Sequence, residues 1–215
     1  MIVDYTNIHY RSRWNGQGPN RYNGALYYSQ EITRNIIPNV RTNRSWITVN
    51  VEGICADGAI VFIHNNAMPE MYEWLSDYKD LVLVCGIEET IPKVKHLGRA
   101  IHLPLSVDVD EVGRYKRSER YGTAFAGRPS KRTMDSVCLP HKTYIIEDLP
   151  RNEFLSQMAR FENIYAVGRT AIEAKVLGCQ VLAYDRRFPD PDIWKVLDNK
   201  DAAKILQEKL NEIDG

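Results

Sequence analysis

From Trp46 onward, short apolar runs alternate with stretches of helical spacing, and Gly, Pro or a charged cluster separates them. The runs Trp46–Val51, Ala59–Ile63, Leu81–Cys85 and Arg99–Leu105 read as strands. Between them, Met68–Tyr78 and Glu88–Leu97 read as helices, with Pro92 moving the start of the second one later. Strands this uniformly apolar are buried on both faces, which predicts a parallel sheet with helical crossovers. The rhythm returns after a charged gap. Thr123–Ala126, Thr143–Ile146, Asn163–Val167 and Cys179–Tyr184 are the next strands, with a helix over Arg151–Phe161 that starts behind Pro150. A proline-containing turn follows within residues 187–198. The chain closes on an amphipathic helix, Asp201–Ile213, with Ala203, Ile205, Leu206 and Leu210 on one side. Upstream, Tyr22–Ile37 has helical apolar spacing and Pro38 as its stop, preceded by a Gly/Asn loop at residues 15–20. The pattern as a whole predicts an α/β protein.

Composition narrows the class without naming a chemistry. The chain has 215 residues, 28 Lys and Arg balanced by 28 Asp and Glu, and a formal net charge of zero. No global field recruits nucleic acid or an anionic membrane. Four widely spaced cysteines (Cys55, Cys85, Cys138, Cys179) form no CxxC pair, which argues against a zinc site and for buried thiols in a reducing compartment. No apolar run is long enough to span a bilayer, and the first residues hold no apolar signal core. The expected location is therefore cytoplasmic.

The most informative stretch is Phe161–Asp185. Gly168 turns the chain after a strand, Arg169 and Thr170 open a short helix through Glu173 and Ala174, Gly178 ends it, and another apolar strand follows. A helix that opens directly after a strand and a glycine points backbone N–H groups and a positive dipole end outward, which suits a phosphate. Glu173, one turn in, is placed either to accept a ribose hydroxyl or to sit solvated on a structural βαβ unit. Two other strand ends carry candidates. Gly127-Arg128, with Lys131 just beyond, supplies positive charge after Thr123–Ala126, and His64-Asn65-Asn66 follows Ala59–Ile63. Asp148 suits either a base-contacting loop or the acid of a helix N-terminus.

These residues resemble the donor-binding half of GT-B glycosyltransferases. There, a Gly turn, a Glu-Ala helix, a Gly stop and an apolar strand hold a nucleotide-sugar, here matched by Gly168, Glu173, Ala174, Gly178 and Val181–Ala183. Gly127, Arg128 and Lys131 are similar to that family's Gly-Arg and Lys, although the spacing to the Lys is shorter. His102–Asp108 is similar to the segment that joins its two lobes. The family's retaining members often carry a second Glu where this chain has Tyr165.

The resemblance implies two Rossmann-like lobes of GT-B type, reduced in size: residues 1–108 on the acceptor side, a linker over 109–122, and 123–215 on the donor side. It implies Arg128 and Lys131 on the donor diphosphate, the Gly168–Thr170 amides (with Arg169) assisting, and Glu173 on the ribose. His64 and the Gly16–Gly18 loop would face the reacting sugar. On that reading a Glu173→Ala chain keeps its fold and loses donor affinity. The nucleotide-sugar is a substrate and no cofactor is expected. Asp108-Val109-Asp110 has DxD spacing but falls in the linker, so the expected chemistry is metal-independent.

Two other classes fit the same scaffold. A nucleotide-sugar epimerase would need Glu88, Glu89 and His64 brought together, and would turn over without an acceptor. A non-catalytic nucleotide binder would hold the nucleotide without consuming it. The acceptor is open. Residues 1–48 hold six arginines among Tyr5, Tyr10, Trp14, Tyr22, Tyr27, Tyr28 and Trp46, a mixture compatible with DNA, with a sugar, or with simple packing.

Overall fold

The structure is a computed structural model that describes residues 8–10, 30–44, 46–49, 55–63, 72–132 and 139–215. It is α/β throughout, with two all-parallel sheets. The described residues divide into two compact units: one holds those up to Leu105 together with Asn199–Gly215, and the other holds Ser106–Asp198. Among the described residues, no helix is long and apolar enough to cross a membrane.

The first sheet comprises β1 (Ile8–Tyr10), β2 (Ile47–Val49), β3 (Ile60–Ile63), β4 (Val82–Cys85) and β5 (Arg99–His102), in the spatial order of the sequence. Every residue of β3 and β4 is buried, as their uninterrupted apolar character requires of central parallel strands. Ala59, Val61, Ile63, Leu75, Leu81, Leu83 and Val94 form one core cluster, and each of its Val, Ile and Leu side chains is worth about 1.5–3 kcal/mol when removed from water. The connections are less regular than the apolar spacing predicts. The described part of Met68–Tyr78, residues 72–78, holds a 3-10 segment at Glu73–Asp77. Over Glu88–Leu97 a 3-10 turn leads into α1 (Ile91–Val94), with Pro92 in its first turn, where the missing N–H costs nothing. Of the helix expected over Tyr22–Ile37 the structure describes residues 30–37: Gln30 and Glu31 are α-helical and lead into a π-helical turn, Ile32–Ile36, that runs into a 3-10 turn, Ile37–Asn39.

The second unit opens where a solvated linker over 109–122 was expected. Instead Val109–Gly113 forms helix α2, capped by the Asp108 carboxylate accepting from the Glu111 amide at 2.8 Å, with Val112 fully buried. Two valines among so many charges were too weak a signal for a helix. The second sheet follows: β6 (Thr123–Ala126), β7 (Tyr144–Ile146), β8 (Asn163–Tyr165) and β9 (Gln180–Leu182), in the spatial order β7-β6-β8-β9. Between these strands lie α3 (Pro129–Arg132), α4 (Arg151–Met158) and α5 (Arg169–Val176). The unit's two ends are pinned side by side: the Val107 amide donates to the Leu197 carbonyl at 3.1 Å, and the Val109 amide to Asp198 Oδ2 at 3.2 Å.

The last helix, α6 (Asn199–Asp214), belongs to the first unit rather than to the second, so residues 123–215 are not one lobe in this structure. Its buried side carries Ala202, Ala203, Leu206 and Leu210 and packs on the Ile32–Ile36 turn. Asn199 Nδ2 donates to the buried Glu31 carboxylate, and Gln207 exchanges two hydrogen bonds with the Arg41 backbone. Arg44 adds an ion pair to Asp214 at 2.9 Å. An amphipathic pattern fixes which side of a helix is buried, not which sheet buries it.

Gly178 ends α5 with φ of +83°, a left-handed position. The Arg120 guanidinium donates to the Gly178 carbonyl and would lie 2.8 Å from an added Cβ. Gly178→Ala is expected to cost about 1–2 kcal/mol from backbone strain, with displacement of Arg120 in addition. A lowered urea midpoint at unchanged m-value checks this.

Candidate functional site

In the second sheet the chain runs from β6 outward to β7, then returns to place β8 on the other side of β6. That reversal of direction is a topological switch point, where the loops at the carboxyl ends of neighbouring strands diverge and leave a crevice for ligands. The described strands of the first sheet have no such reversal, because their order follows the sequence. The loops flanking the switch point are Gly127–Arg132 after β6 and Ala166–Thr170 after β8. Two of the stretches singled out from the sequence therefore meet at one place.

The loop after β6 is strongly cationic. Lys131 is repelled by Arg128 and by Arg187, while the buried Asp185 draws it the other way. Burial, with the Arg128 and Arg187 guanidiniums, pushes the Lys131 ammonium down to about 8. Arg132 holds Glu147 through two bonds of 3.1 and 3.0 Å, bracing the turn after β6 against the loop after β7. Beneath lies an aromatic floor, with Tyr184 edge-on to Phe125 at 5.3 Å and to Tyr165 at 6.5 Å. Tyr184 and Asp185 extend from β9, and Asp185 pairs with Arg187 through bonds to its Nε of 3.1 Å.

Gly168 stands at φ +63°, ψ −141°, a backbone conformation that only glycine adopts without strain. Its carbonyl takes the amides of Ala171 and Ile172, which fixes the first turn of α5. The amino end of α5 thus opens at the carboxyl ends of the strands, as the sequence suggested. Thr170 is nearly buried there.

Glu173 and Arg169 are placed otherwise than a ligand-facing role implies. Glu173 is completely buried, and its Oε1 accepts from Arg151 Nη1 at 2.7 Å and from Arg169 Nε at 3.1 Å. Arg151 extends the chain of charges to Glu111, 3.1 Å from its Nε. This buried network fastens α5 to α4 and α2. The geometry makes Glu173 and Arg169 positioning residues for the turn at Gly168. No local pattern signals this network, since Arg151 and Glu111 lie 22 and 62 positions away from Glu173.

His64, Gly16 and Gly18 lie outside the described residues, as do most of the aromatic and arginine residues of 1–48. Glu88 and Glu89 stand in the 3-10 turn after β4. Nearby His102 is pushed down by burial against an opposing pull from Glu88. Among the described residues, no three His, Cys, Asp or Glu side chains gather as a metal site. Arg187 and Asp185 were missed from the sequence, because only the order of the strands brings the end of β9 toward Lys131.

Comparison with protein-family models, with curated proteins and with solved structures gave no match. The functional reading therefore rests on the switch point and its charges.

Two hollows on the described surface lie elsewhere. One of about 550 Å³ lies between residues 39–43 and α6, and one of about 470 Å³ runs along β9. Neither includes Arg128 or Lys131.

Proposed function

We propose that the chain is a glycosyltransferase of GT-B plan that binds a nucleotide-sugar at the switch point of its second sheet. The observation that carries this reading is the meeting of the Arg128–Lys131 loop with the Gly168 turn at the carboxyl ends of β6 and β8. A nucleotide-sugar reacts by breaking the bond between sugar carbon and phosphate oxygen, so negative charge grows on the departing diphosphate. Preorganised cations at that oxygen lower the barrier, and Arg128 and Lys131 take this role, with α5 directing its positive end to the same place. Lys131 is suited to it in a further way. A diphosphate beside it restores its full charge, so binding above pH 8 takes up a proton.

The acceptor hydroxyl attacks the sugar carbon and releases its proton to a base, for which His64 is the candidate. The acceptor is a sugar or a modified DNA base that carries a hydroxyl. Glu173 supports donor binding indirectly, by holding Arg169 and the turn. The half-buried Tyr165, at the strand-end position where a second carboxylate would stand, favours one further reading: a nucleotide-binding protein that retains the ligand without consuming it.

A thermal-shift and calorimetric screen against nucleotide-sugars and plain nucleotides tests the proposal. A ligand at one hundred times its dissociation constant adds about 2.7 kcal/mol to stability, a readily measured rise in midpoint. Tight binding of one nucleotide-sugar, with nucleoside diphosphate release when acceptors are added, is the expected result. Binding without release points to the non-catalytic reading. No shift with any nucleotide removes the donor site.

A further inference from the structure

The amino ends of the same strands, opposite the switch point, carry a second surface. Tyr121 lies just before β6, Tyr144 begins β7, and Phe161 lies just before β8. Phe161 is nearly buried, with ring centroids 5.1 Å from Tyr144, stacked at 29°, and 5.5 Å from Tyr121. The two tyrosines are 53% and 56% exposed, the largest exposure among the big apolar side chains described. Burying aromatic surface of this size normally stabilises a protein, so two tyrosines left open around one buried ring call for an occupant.

The rim indicates which. Arg160 lies over the Tyr121 ring at 5.9 Å, and its backbone carbonyl accepts from the Tyr121 amide at 3.0 Å. Lys142 is exposed two residues before Tyr144, and the exposed Arg117 reaches Ser156 of α4 at 3.4 Å. Glu119 and Glu162 are the exposed acids close by in sequence, and cations outnumber them along residues 114–120, where Arg114, Lys116 and Arg117 face solvent. Flat aromatic faces with cations between them match a ligand that has planar rings and a repeating negative charge. A duplex hides its ring faces, and a neutral glycan has no use for the cations.

We infer that this amino-end platform binds single-stranded nucleic acid, with bases stacked on Tyr121 and Tyr144 and phosphates paired to Arg117, Arg160 and Lys142. The platform is separate from the proposed donor site and does not rest on that reading, since it occupies the other end of the sheet.

Fluorescence anisotropy of a short labelled oligothymidylate, titrated with the full chain at low salt and without any nucleotide-sugar, tests it. Expected is saturable binding that weakens with salt by roughly two decades per decade, as three phosphate contacts to a single strand require. Tyr121→Ala and Tyr144→Ala should each weaken it about tenfold, Tyr121→Phe should retain it, and Lys142→Glu should flatten the salt slope. Near-ultraviolet circular dichroism establishes that each variant is folded. No binding by the folded chain overturns the inference, and so does unchanged binding in the Tyr121→Ala/Tyr144→Ala chain. Loss in Arg128→Ala with retention in the tyrosine variants overturns it too, placing the strand at the switch point. Self-association that Tyr121→Ala abolishes, without oligonucleotide binding, assigns the surface to a second copy instead.

Discussion

Glu173→Ala is expected to destabilise the second unit by about 3–5 kcal/mol, the usual penalty for removing one partner of a buried ion pair. The carboxylate has no solvent exposure, and its loss leaves the Arg151 and Arg169 guanidiniums close together in the interior without their shared anion. Glu111 offsets part of the Arg151 charge but reaches only that side of the network. Urea denaturation followed by circular dichroism reads the effect as a lowered midpoint. Replacing Arg151, Glu173 and Arg169 together by Met, Leu and Met should recover much of the loss, because a well-packed apolar trio carries no desolvation cost. This reverses the sequence-based expectation that Glu173→Ala leaves the fold intact. A variant with wild-type midpoint and abolished nucleotide binding would return Glu173 to the ribose.

Lys131→Met should have the opposite sign. The Lys131 ammonium is held down at about 8 by burial and by the charges of Arg128 and Arg187. Below pH 8 both the folded and the unfolded chain carry this proton, and the folded state bears a constant cost. Between about pH 8 and 10.5 the unfolded chain keeps a proton that the folded chain has released, so wild-type stability rises with pH across that window. The contribution from this one group is at most about 3 kcal/mol. Lys131→Met removes both the cost and the slope: it should be more stable than wild type at pH 7, with the difference shrinking as pH approaches 10.5. Nucleotide affinity should meanwhile fall about 10- to 100-fold, the effect of one charge-assisted hydrogen bond. Paired urea titrations at pH 7 and 10 separate these outcomes. Equal stability at both pH values would show that Lys131 is solvated.

What could be read from the residues, and what could not, divides along the range of the interactions. Strands β3, β4 and β6 announce themselves because an apolar run bounded by breakers has few other ways to bury itself. β1 did not, since Ile8–Tyr10 is three residues set in a polar stretch, and its partner β2 is remote in sequence. The position of Arg128, Lys131 and Gly168 was legible because a residue just past a strand lies at the sheet's carboxyl end whatever the topology. Their convergence depends on the order β7-β6-β8-β9, on which local periodicity is silent. The same limit hid Arg187 and Asp185 and concealed the partners of Glu173. A buried carboxylate and a ligand-binding one look alike until the arginines that reach it are located.

The assignment of α6 to the first unit bears on how the chain is made. Ser106–Asp198 is continuous, with its entry and exit held together at Val107 and Leu197, so it has everything it needs once residue 198 has left the ribosome. The first unit emerges earlier but cannot close. Glu31 is buried against Asn199, a partner 168 positions downstream, and the Ile32–Ile36 turn stays uncovered until α6 arrives. Among the described residues the second unit is thus an insertion within the first, and the order of completion runs against the order of synthesis. Until α6 has been synthesised, the apolar surface that it will cover is exposed to whatever the nascent chain meets.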